Sequence, residues 1–138
     1  MGVFTLPNPN YNQTITIFNR YKENGKEHWK RTVLHNCFWK CETHVVLSGT
    51  SSSKANSYTA RIPKDARYIP CGMFTDVVNQ FSLKNGDLCI LGDADEVITG
   101  ASGHTATDVL QKYKPNSFKI TAVADNTAFV GGHYRIGG

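Results

Sequence analysis

The sequence has no long hydrophobic run, and its apolar stretches are only a few residues each. A membrane-spanning helix needs about 20 apolar residues, so none is predicted. Charged residues are also scarce, at 19%, and the net charge is only +4, which excludes a chain kept unfolded by self-repulsion. With 138 residues, of which 40% are hydrophobic, the chain is long enough for one domain with its own core.

Recognisable catalytic and phosphate-binding motifs are also missing. The glycines form neither a P-loop nor a dinucleotide-binding pattern. The start of the chain does not combine a basic stretch with an apolar one, so no secretory signal is predicted and we expect a reducing cytoplasm. The charged and nucleophilic residues form no set typical of an active site. We therefore predict a protein that is not an enzyme and that has no cofactor, metal or small-molecule substrate.

The cysteines are Cys37, Cys41, Cys71 and Cys89. Cys37, Cys41 and His44 have the spacing of half a zinc site, which the other two cysteines could complete only through folding. A nucleophilic thiol would need a histidine base, and His35 and His44 flank the pair. We favour a simpler interpretation, in which Cys37 and Cys41 share one face of a strand as small buried side chains.

Three acids lie close together in residues 92–96. A calcium loop of the helix-loop-helix type would require a glycine where Ile98 stands. We therefore interpret this segment as a solvated turn beside a strand.

The pattern of the chain predicts many short strands. Alternating or apolar stretches favour strands at 14–18, 28–39, 45–47, 58–62, 87–91, 118–123 and 133–136. Asn24 and Gly25 predict a tight hairpin turn between the first two. Residues 76–81 fit a helix and a strand equally, whereas 105–113 predict a helix with a capping box at Thr105 and Asp108. The sequence therefore predicts a mainly β fold, a small β-barrel or sandwich with one short helix and long loops.

Two polar segments are candidates for contacts with a partner. Residues 1–12, rich in Pro and Asn, predict an extended arm ahead of a single barrel domain over 13–138, and residues 48–57 predict a mobile loop. A disordered terminus and an ordinary surface loop would have the same composition, but both segments also suit ordering on a neighbouring protein. The candidate contact residues are Pro7, Asn8, Pro9, Asn10, Ser48, Gly49, Thr50, Ser51, Ser52, Ser53, Lys54, Asn56 and Arg135.

Basic and aromatic residues also interleave along the first predicted hairpin. They are Arg20, Tyr21, Trp29, Lys30 and Arg31. Stacking surfaces for single-stranded nucleic acid combine these residue types. Core aromatics beside ordinary surface cations give the same pattern, so both interpretations remain open.

Three segments in a fixed order carry a resemblance to a known family. The first is Ile-Thr-Ile-Phe-Asn-Arg at 15–20, followed by Trp29 and Arg31, and the second is Arg-Ile-Pro at 61–63, followed by Gly-Asp at 86–87 ahead of an apolar strand. The third is 118–126, closed by 133–138. In this order, from about residue 14 onward, the chain resembles small, mostly uncharacterised proteins encoded among the head and neck genes of tailed bacteriophages and prophages of low-GC Gram-positive bacteria. The chain departs from the family pattern at Tyr134, where Trp is frequent, and at Thr127, where a basic residue is frequent.

The resemblance implies a structural virion protein of the neck, the connector region between head and tail. Such proteins are commonly small β-barrels that form rings between the portal and the tail and close the channel after DNA packaging. The implied partners are further copies of the chain in a ring, with a dodecamer as one candidate, the portal or adaptor and tail proteins, and packaged DNA held without sequence recognition. The implied location is the host cytoplasm during assembly and then the virion. A tail-terminator or tail-completion protein and a single-strand nucleic-acid binder with an OB-like barrel are the alternatives.

Overall fold

The computed structural model describes residues 10–49, 51–70, 73–128 and 132–138, without the side chains of 44, 46, 48 and 51–55. Its elements in chain order are β1 (Gln13–Glu23), β2 (Lys26–Ser48), β3 (Ser51–Pro63), β4 (Leu88–Leu91), α1 (Ala106–Tyr113), β5 (Ser117–Lys119), β6 (Ala122–Asn126) and β7 (His133–Gly137). Within the described residues, no helix has the length and apolar composition needed to cross a membrane.

The strands form one antiparallel sheet in the order β5-β4-β1-β2-β3-β7-β6. The two ends of the sheet are adjacent in the chain, because only Ile120 and Thr121 separate β5 from β6. The N–H of Ile120 donates to the carbonyl of Asp87 (2.7 Å), and the N–H of Thr121 donates to the carbonyl of Gly137 (2.8 Å). The sheet therefore curls into a half-barrel, and the prediction of a mainly β, barrel-like fold with one short helix is confirmed.

Strand β2 bends where it passes between the two halves of the sheet. Its residues 26–37 pair with β1, and its residues 38–48 pair with β3. Asn36 lies at the bend with φ of +57°, a left-handed conformation that Asn adopts more readily than most residues. The register shifts at this point, so that Leu34 and Cys37, three positions apart, both lie in the core.

The core lies inside the half-barrel, and a second apolar cluster lies outside it. Ile15 and Ile17 of β1 face inward, whereas Phe18 packs on the outer side with Val109 of α1. Strand β1 is therefore buried on both faces. The predicted capping box is confirmed, since the Thr105 hydroxyl accepts from the N–H of Asp108 (3.1 Å) and the Asp108 carboxylate accepts from the N–H of Thr105 (3.2 Å).

A buried polar pair fastens β1 to the segment before β4. Asn19 and Asp87 are both fully buried. The Asp87 carboxylate accepts hydrogen bonds from Asn19 Nδ2 (2.7 Å), the N–H of Arg20 (3.0 Å) and Lys84 Nζ (2.7 Å). Asn19 in turn accepts from the N–H of Ser82 (3.0 Å). Both Asn19 and Asp87 thus have hydrogen-bond partners, which is the condition for tolerating them in a core.

The predicted mobile loop at 48–57 is wrong. The described residues of this segment belong to a regular hairpin, in which Ser48 lies opposite Ser51 and Glu42 lies opposite Ser57. A ribbon with solvent on both sides needs no hydrophobic alternation, so its polar composition does not mark it as a strand. The backbone bonds to β2 order it instead.

Other local predictions have mixed outcomes. The Asn24–Gly25 turn is confirmed, with φ of 54° and 75° at the two residues. The single strand predicted at 118–123 is wrong, because the chain changes neighbours from β4 to β7 at Ile120 and Thr121. Residues 76–81 form turns, neither helix nor strand, apart from a bridge at Phe81.

Candidate functional site

A two-stranded ribbon projects from the half-barrel and is the main candidate for a contact surface. We define the ribbon as residues 42–48 of β2 and 51–57 of β3, which form seven antiparallel pairs. At about 3.4 Å per residue, its length is roughly 20 Å. In the part of the chain that the structure describes, β7 pairs with β3 only from Thr59 to Pro63, with Gly138 adding bonds to Tyr58. The outer edge of the ribbon therefore has no described neighbouring strand.

One face of the ribbon continues the core face of the barrel. Side chains alternate along a strand, so Cys37, Val45 and Leu47 of β2 share a side. Cys37 is fully buried, whereas Val45 is 62% exposed and Leu47 is 77% exposed. These two residues are therefore apolar side chains that the protein's own core does not use.

Three aromatic rings hold the base of the ribbon. Tyr58 and Phe118 stack with centroids 5.1 Å apart, and Trp39 contacts them at 5.8 and 5.4 Å. The bonding continues into the ribbon, where Asn56 donates to the Tyr58 hydroxyl (3.3 Å) and accepts from the Thr43 hydroxyl (2.9 Å). The ribbon therefore leaves the barrel from a packed base with a defined direction.

The predicted partner-contact residues fall into three groups. Pro7, Asn8, Pro9 and Thr50 lie outside the described residues. Asn10 precedes β1, and Arg135 lies on β7. The remaining predicted residues are brought together in the ribbon and its turn, namely Ser48, Gly49, Ser51, Ser52, Ser53, Lys54 and Asn56. The sequence predicts a strand over 45–47 but does not identify Val45 and Leu47 as contact residues, because an apolar run of this kind is equally typical of a buried strand.

The predicted nucleic-acid residues do not share one face. Arg20 lies opposite Trp29 and Phe18 lies opposite Arg31, which places these side chains on the α1 side of the sheet. Tyr21 and Lys30 lie at the alternate positions and therefore point to the other side. Tyr21 stacks on His28 (5.4 Å) and meets Phe74 edge-on (5.9 Å). The five residues therefore form no common stacking platform.

The cations of this set already have partners within the chain. Arg20 pairs with Glu27 at 3.6 Å, and Arg31 binds Asp93 and donates to the carbonyl of Ala94 (2.6 Å). Lys30 Nζ donates to the carbonyls of Val77 and Val78. Burial lowers the pKa of Lys30, although the Asp76 carboxylate acts in the opposite direction. Lys30 and Arg31 therefore fasten loops to the hairpin, whereas Arg20 pairs within it.

The described cysteines differ in burial between the barrel and the ribbon side of the aromatic base. Cys37 and Cys89 are buried, and burial raises the pKa of Cys37 to about 12 and that of Cys89 well above its usual range. Cys41 is exposed, so the expectation of a buried side chain is wrong there, because the ribbon leaves the barrel at this point. Cys71 lies outside the described residues, and the side chain of His44 is not described. Among the described side chains, no three His, Cys, Asp or Glu converge on a metal-sized site.

Two of the three acids at 92–96 form ion pairs with side chains of β2 and α1. Asp93 binds Arg31, and Glu96 accepts from Lys112 Nζ (2.5 Å) and the Tyr113 hydroxyl (2.9 Å). The Lys112 ammonium and the Tyr113 hydroxyl lower the pKa of Glu96. The segment thus connects β4 to α1 and β2.

Sequence comparison gives one match. A family of unknown function, DUF6751, matches residues 10–138. The chain belongs to this family. No curated protein and no solved structure matches the chain. DUF6751 membership covers all of the described elements, including the ribbon.

Proposed function

We propose that this protein is a structural component of a bacteriophage neck, a head–tail connector of the stopper or head-completion type. It joins the portal or adaptor to the tail as a ring and helps to retain packaged DNA. The ordered segments that resemble neck-gene products support this proposal. The observation that carries it is the projecting ribbon, an ordered surface whose exposed apolar side chains serve no purpose in the barrel.

The ribbon has the properties that a ring contact needs. In a closed ring each subunit presents two different surfaces, one to each neighbour, and a projecting element reaches the next subunit without distorting the barrel. Burying a side chain such as Leu47 or Val45 contributes about 1.5–3 kcal/mol, so the pair can supply the centre of a small interface. The aromatic base formed by Trp39, Tyr58 and Phe118 fixes the direction in which the ribbon points.

Two alternatives make different predictions. A tail-terminator or tail-completion protein would use the same surfaces but would occur in isolated tails. A single-strand nucleic-acid binder would need a stacking platform, and the residues proposed for it lie on opposite faces with their cations engaged. The connector is therefore the function that we put forward.

The first experiment is quantitative mass spectrometry of purified particles from a phage that encodes this chain. A connector is expected at one copy per portal subunit or at half that ratio, in particles with and without tails. Presence only in isolated tails would replace the connector by a tail protein. Absence from all particles would overturn the proposal.

A ribbon-trimmed variant tests the surface itself. Residues 44–55 are replaced by Asn-Gly, so that the pair Thr43 and Asn56 closes the hairpin. We expect a folded barrel that fails to enter particles and leaves filled heads leaking DNA. The matched control is Val97→Ser, which removes an apolar side chain that is 69% exposed outside the ribbon and should leave assembly unchanged. Normal DNA retention with the trimmed ribbon would remove the ribbon from the mechanism.

A further inference from the structure

Two arginines lie directly opposite each other on the outer face of β3 and β7. Arg61 pairs with Arg135 in the strand register. Their neighbours Ala60, Ile62, Tyr134 and Ile136 are buried in the core, so the arginines point to the other side of the sheet. Like charges directly opposite on neighbouring strands are destabilising. The sheet therefore keeps an arrangement that folding alone does not favour.

These two arginines differ from the other three in having no carboxylate partner. Arg20, Arg31 and Arg67 pair with Glu27, Asp93 and Asp65. All of the chain's Asp and Glu residues lie within the described residues, since residues 1–9, 50, 71–72 and 129–131 contain none. None of these acids forms an ion pair with Arg61 or Arg135 in the structure that describes them. Within the described residues, no ion pair therefore offsets the charge of Arg61 or Arg135.

Arg61 is held by an aromatic ring rather than by an acid. Its guanidinium carbon lies 5.0 Å from the centroid of Phe38, and its Nε atom is buried with no hydrogen-bond acceptor. Stacking of this kind orients the planar guanidinium and leaves its outer edge free to bind an anion. Tyr11 packs against the same Phe38 ring at 6.1 Å, which adds to this support.

Small residues surround Arg135 and open a shallow cleft of about 410 Å³ beside it, close to the base of the ribbon. Thr59, Gly137 and Ala122 lie opposite one another on β3, β7 and β6. They share a face of the sheet with the two arginines, two residues from Arg61 along β3 and two residues from Arg135 along β7. Short side chains allow an extended backbone to approach the sheet closely. The cleft and the two cations together suit a long anionic chain better than a single compact ion.

We propose that the arginine face, defined as Arg61, Arg135 and the adjoining row Thr59, Gly137 and Ala122, binds the phosphate groups of a DNA backbone. The choice of DNA among polyanions rests on the proposed function. Guanidinium groups bind phosphate oxygens through two parallel hydrogen bonds, without reading the base sequence. The arginine face is separate from the predicted nucleic-acid residues on β1 and the first part of β2.

The test is an NMR titration of the full chain with a 12-base-pair duplex in 0.1 M salt. We expect the side-chain Nε–H signals of Arg61 and Arg135 and the amide signals of Thr59 and Gly137 to shift first. Because each phosphate contact adds about 0.9 to the slope of log affinity against log salt, Arg135→Gln should weaken binding about eightfold at 0.1 M salt. Arg61→Gln combined with it should lower the salt slope by about 1.8.

The charge-matched control is Arg20→Gln, which removes an exposed arginine that pairs with Glu27. It should leave DNA affinity within twofold of the unmodified chain. The inference is overturned by the absence of shifts at millimolar DNA, by equal weakening in Arg20→Gln, or by shifts centred on Tyr21 and Trp29. Equal shifts with a polyglutamate peptide of the same charge would overturn the assignment to DNA.

Particle composition separates this inference from the proposed function. A chain that is present in the neck but does not bind the duplex keeps the connector function and overturns the arginine face. A chain that binds the duplex through Arg61 and Arg135 but is absent from particles supports the face and overturns the connector function.

Discussion

On either side of the register shift at Asn36, the two halves of β2 each place a leucine on the inner face, but the two leucines lie in different environments. In the half that pairs with β1, Leu34 is 2% exposed and belongs to the core. In the half that forms the ribbon, Leu47 is 77% exposed. Strand β2 continues beyond the aromatic base, but the described core residues no longer cover its inner face there. Apolar residues therefore stabilise this protein only where the barrel closes over them.

This difference suggests that the two halves of β2 have different roles. The barrel half of β2 supplies stability through core packing. The ribbon half supplies surface that remains available for a partner. Changes in the barrel half should therefore alter folding, and changes in the ribbon half should alter assembly.

Cysteine reactivity should show the largest contrast, because Cys37 and Cys41 lie four residues apart on either side of the base. Only the thiolate reacts, and a pKa of about 12 leaves about one ten-thousandth of the Cys37 thiol ionised at pH 8. We expect iodoacetamide to modify Cys41 in the folded protein while Cys37 and Cys89 remain intact, as measured by peptide mass spectrometry. In denaturing urea all three should react at similar rates. Comparable folded-state rates for Cys37 and Cys41 would contradict the comparison.

Removing the buried carboxylate should cause the largest loss of stability. Asp87→Ala leaves Asn19 Nδ2, the N–H of Arg20 and the Lys84 ammonium without their acceptor. We expect the free energy of unfolding to fall by about 3–5 kcal/mol, measured by urea denaturation. Asp125→Ala removes an exposed carboxylate bonded to Thr127 and should cost less than about 1 kcal/mol. Equal losses would mean that the buried pair does not hold the barrel together.

The same leucine truncation in each half of β2 tests the comparison directly. Leu34→Ala should lower the free energy of unfolding by about 3 kcal/mol, because it removes buried methyl groups and leaves a cavity. Leu47→Ala should change it by less than about 0.5 kcal/mol. Urea denaturation of both variants under one set of conditions gives the difference. A large loss in Leu47→Ala would show that the ribbon contributes to the stability of the barrel.

Features that depend on neighbouring residues could be predicted from the sequence. The Asn24–Gly25 turn, the capping box at Thr105 and the existence of strand β1 follow local rules of backbone geometry and hydrogen bonding, although β1 is buried on both faces and its alternation indicated only one. Residues 48–57 could not be predicted in this way, because their strand is ordered by pairing with β2 and not by burial of their own side chains. The same reason explains the error at Cys41, whose exposure depends on where the barrel ends.

The arginine face could not be predicted because its two halves are distant in the chain. Arg135 was among the predicted contact residues, but Arg61 was noted only within the Arg-Ile-Pro segment. Their opposition depends on the pairing of β3 with β7, and no local pattern specifies that pairing. That Arg61 and Arg135 form no ion pair with a carboxylate of the described residues likewise follows only from the positions of all Asp and Glu residues in the folded chain.

The smallest expected effect concerns α1, which covers the outer side of β1. Thr105→Ala removes the hydroxyl that accepts from the N–H of Asp108, so we expect a loss of about 1 kcal/mol in the free energy of unfolding. Thr107→Ala, two residues along the same helix at an exposed position, should be neutral or slightly stabilising because alanine is the better helix former. In Thr105→Ala, amide hydrogen exchange should increase in α1 and in the neighbouring strands β1 and β4. The side chains of Phe18, Leu88 and Ile90 on these strands lie beneath the helix. Exchange in the ribbon should stay unchanged in both variants, because none of the described side chains of the ribbon belongs to this outer cluster. A change in ribbon exchange would mean that the two halves of β2 are energetically coupled through the aromatic base.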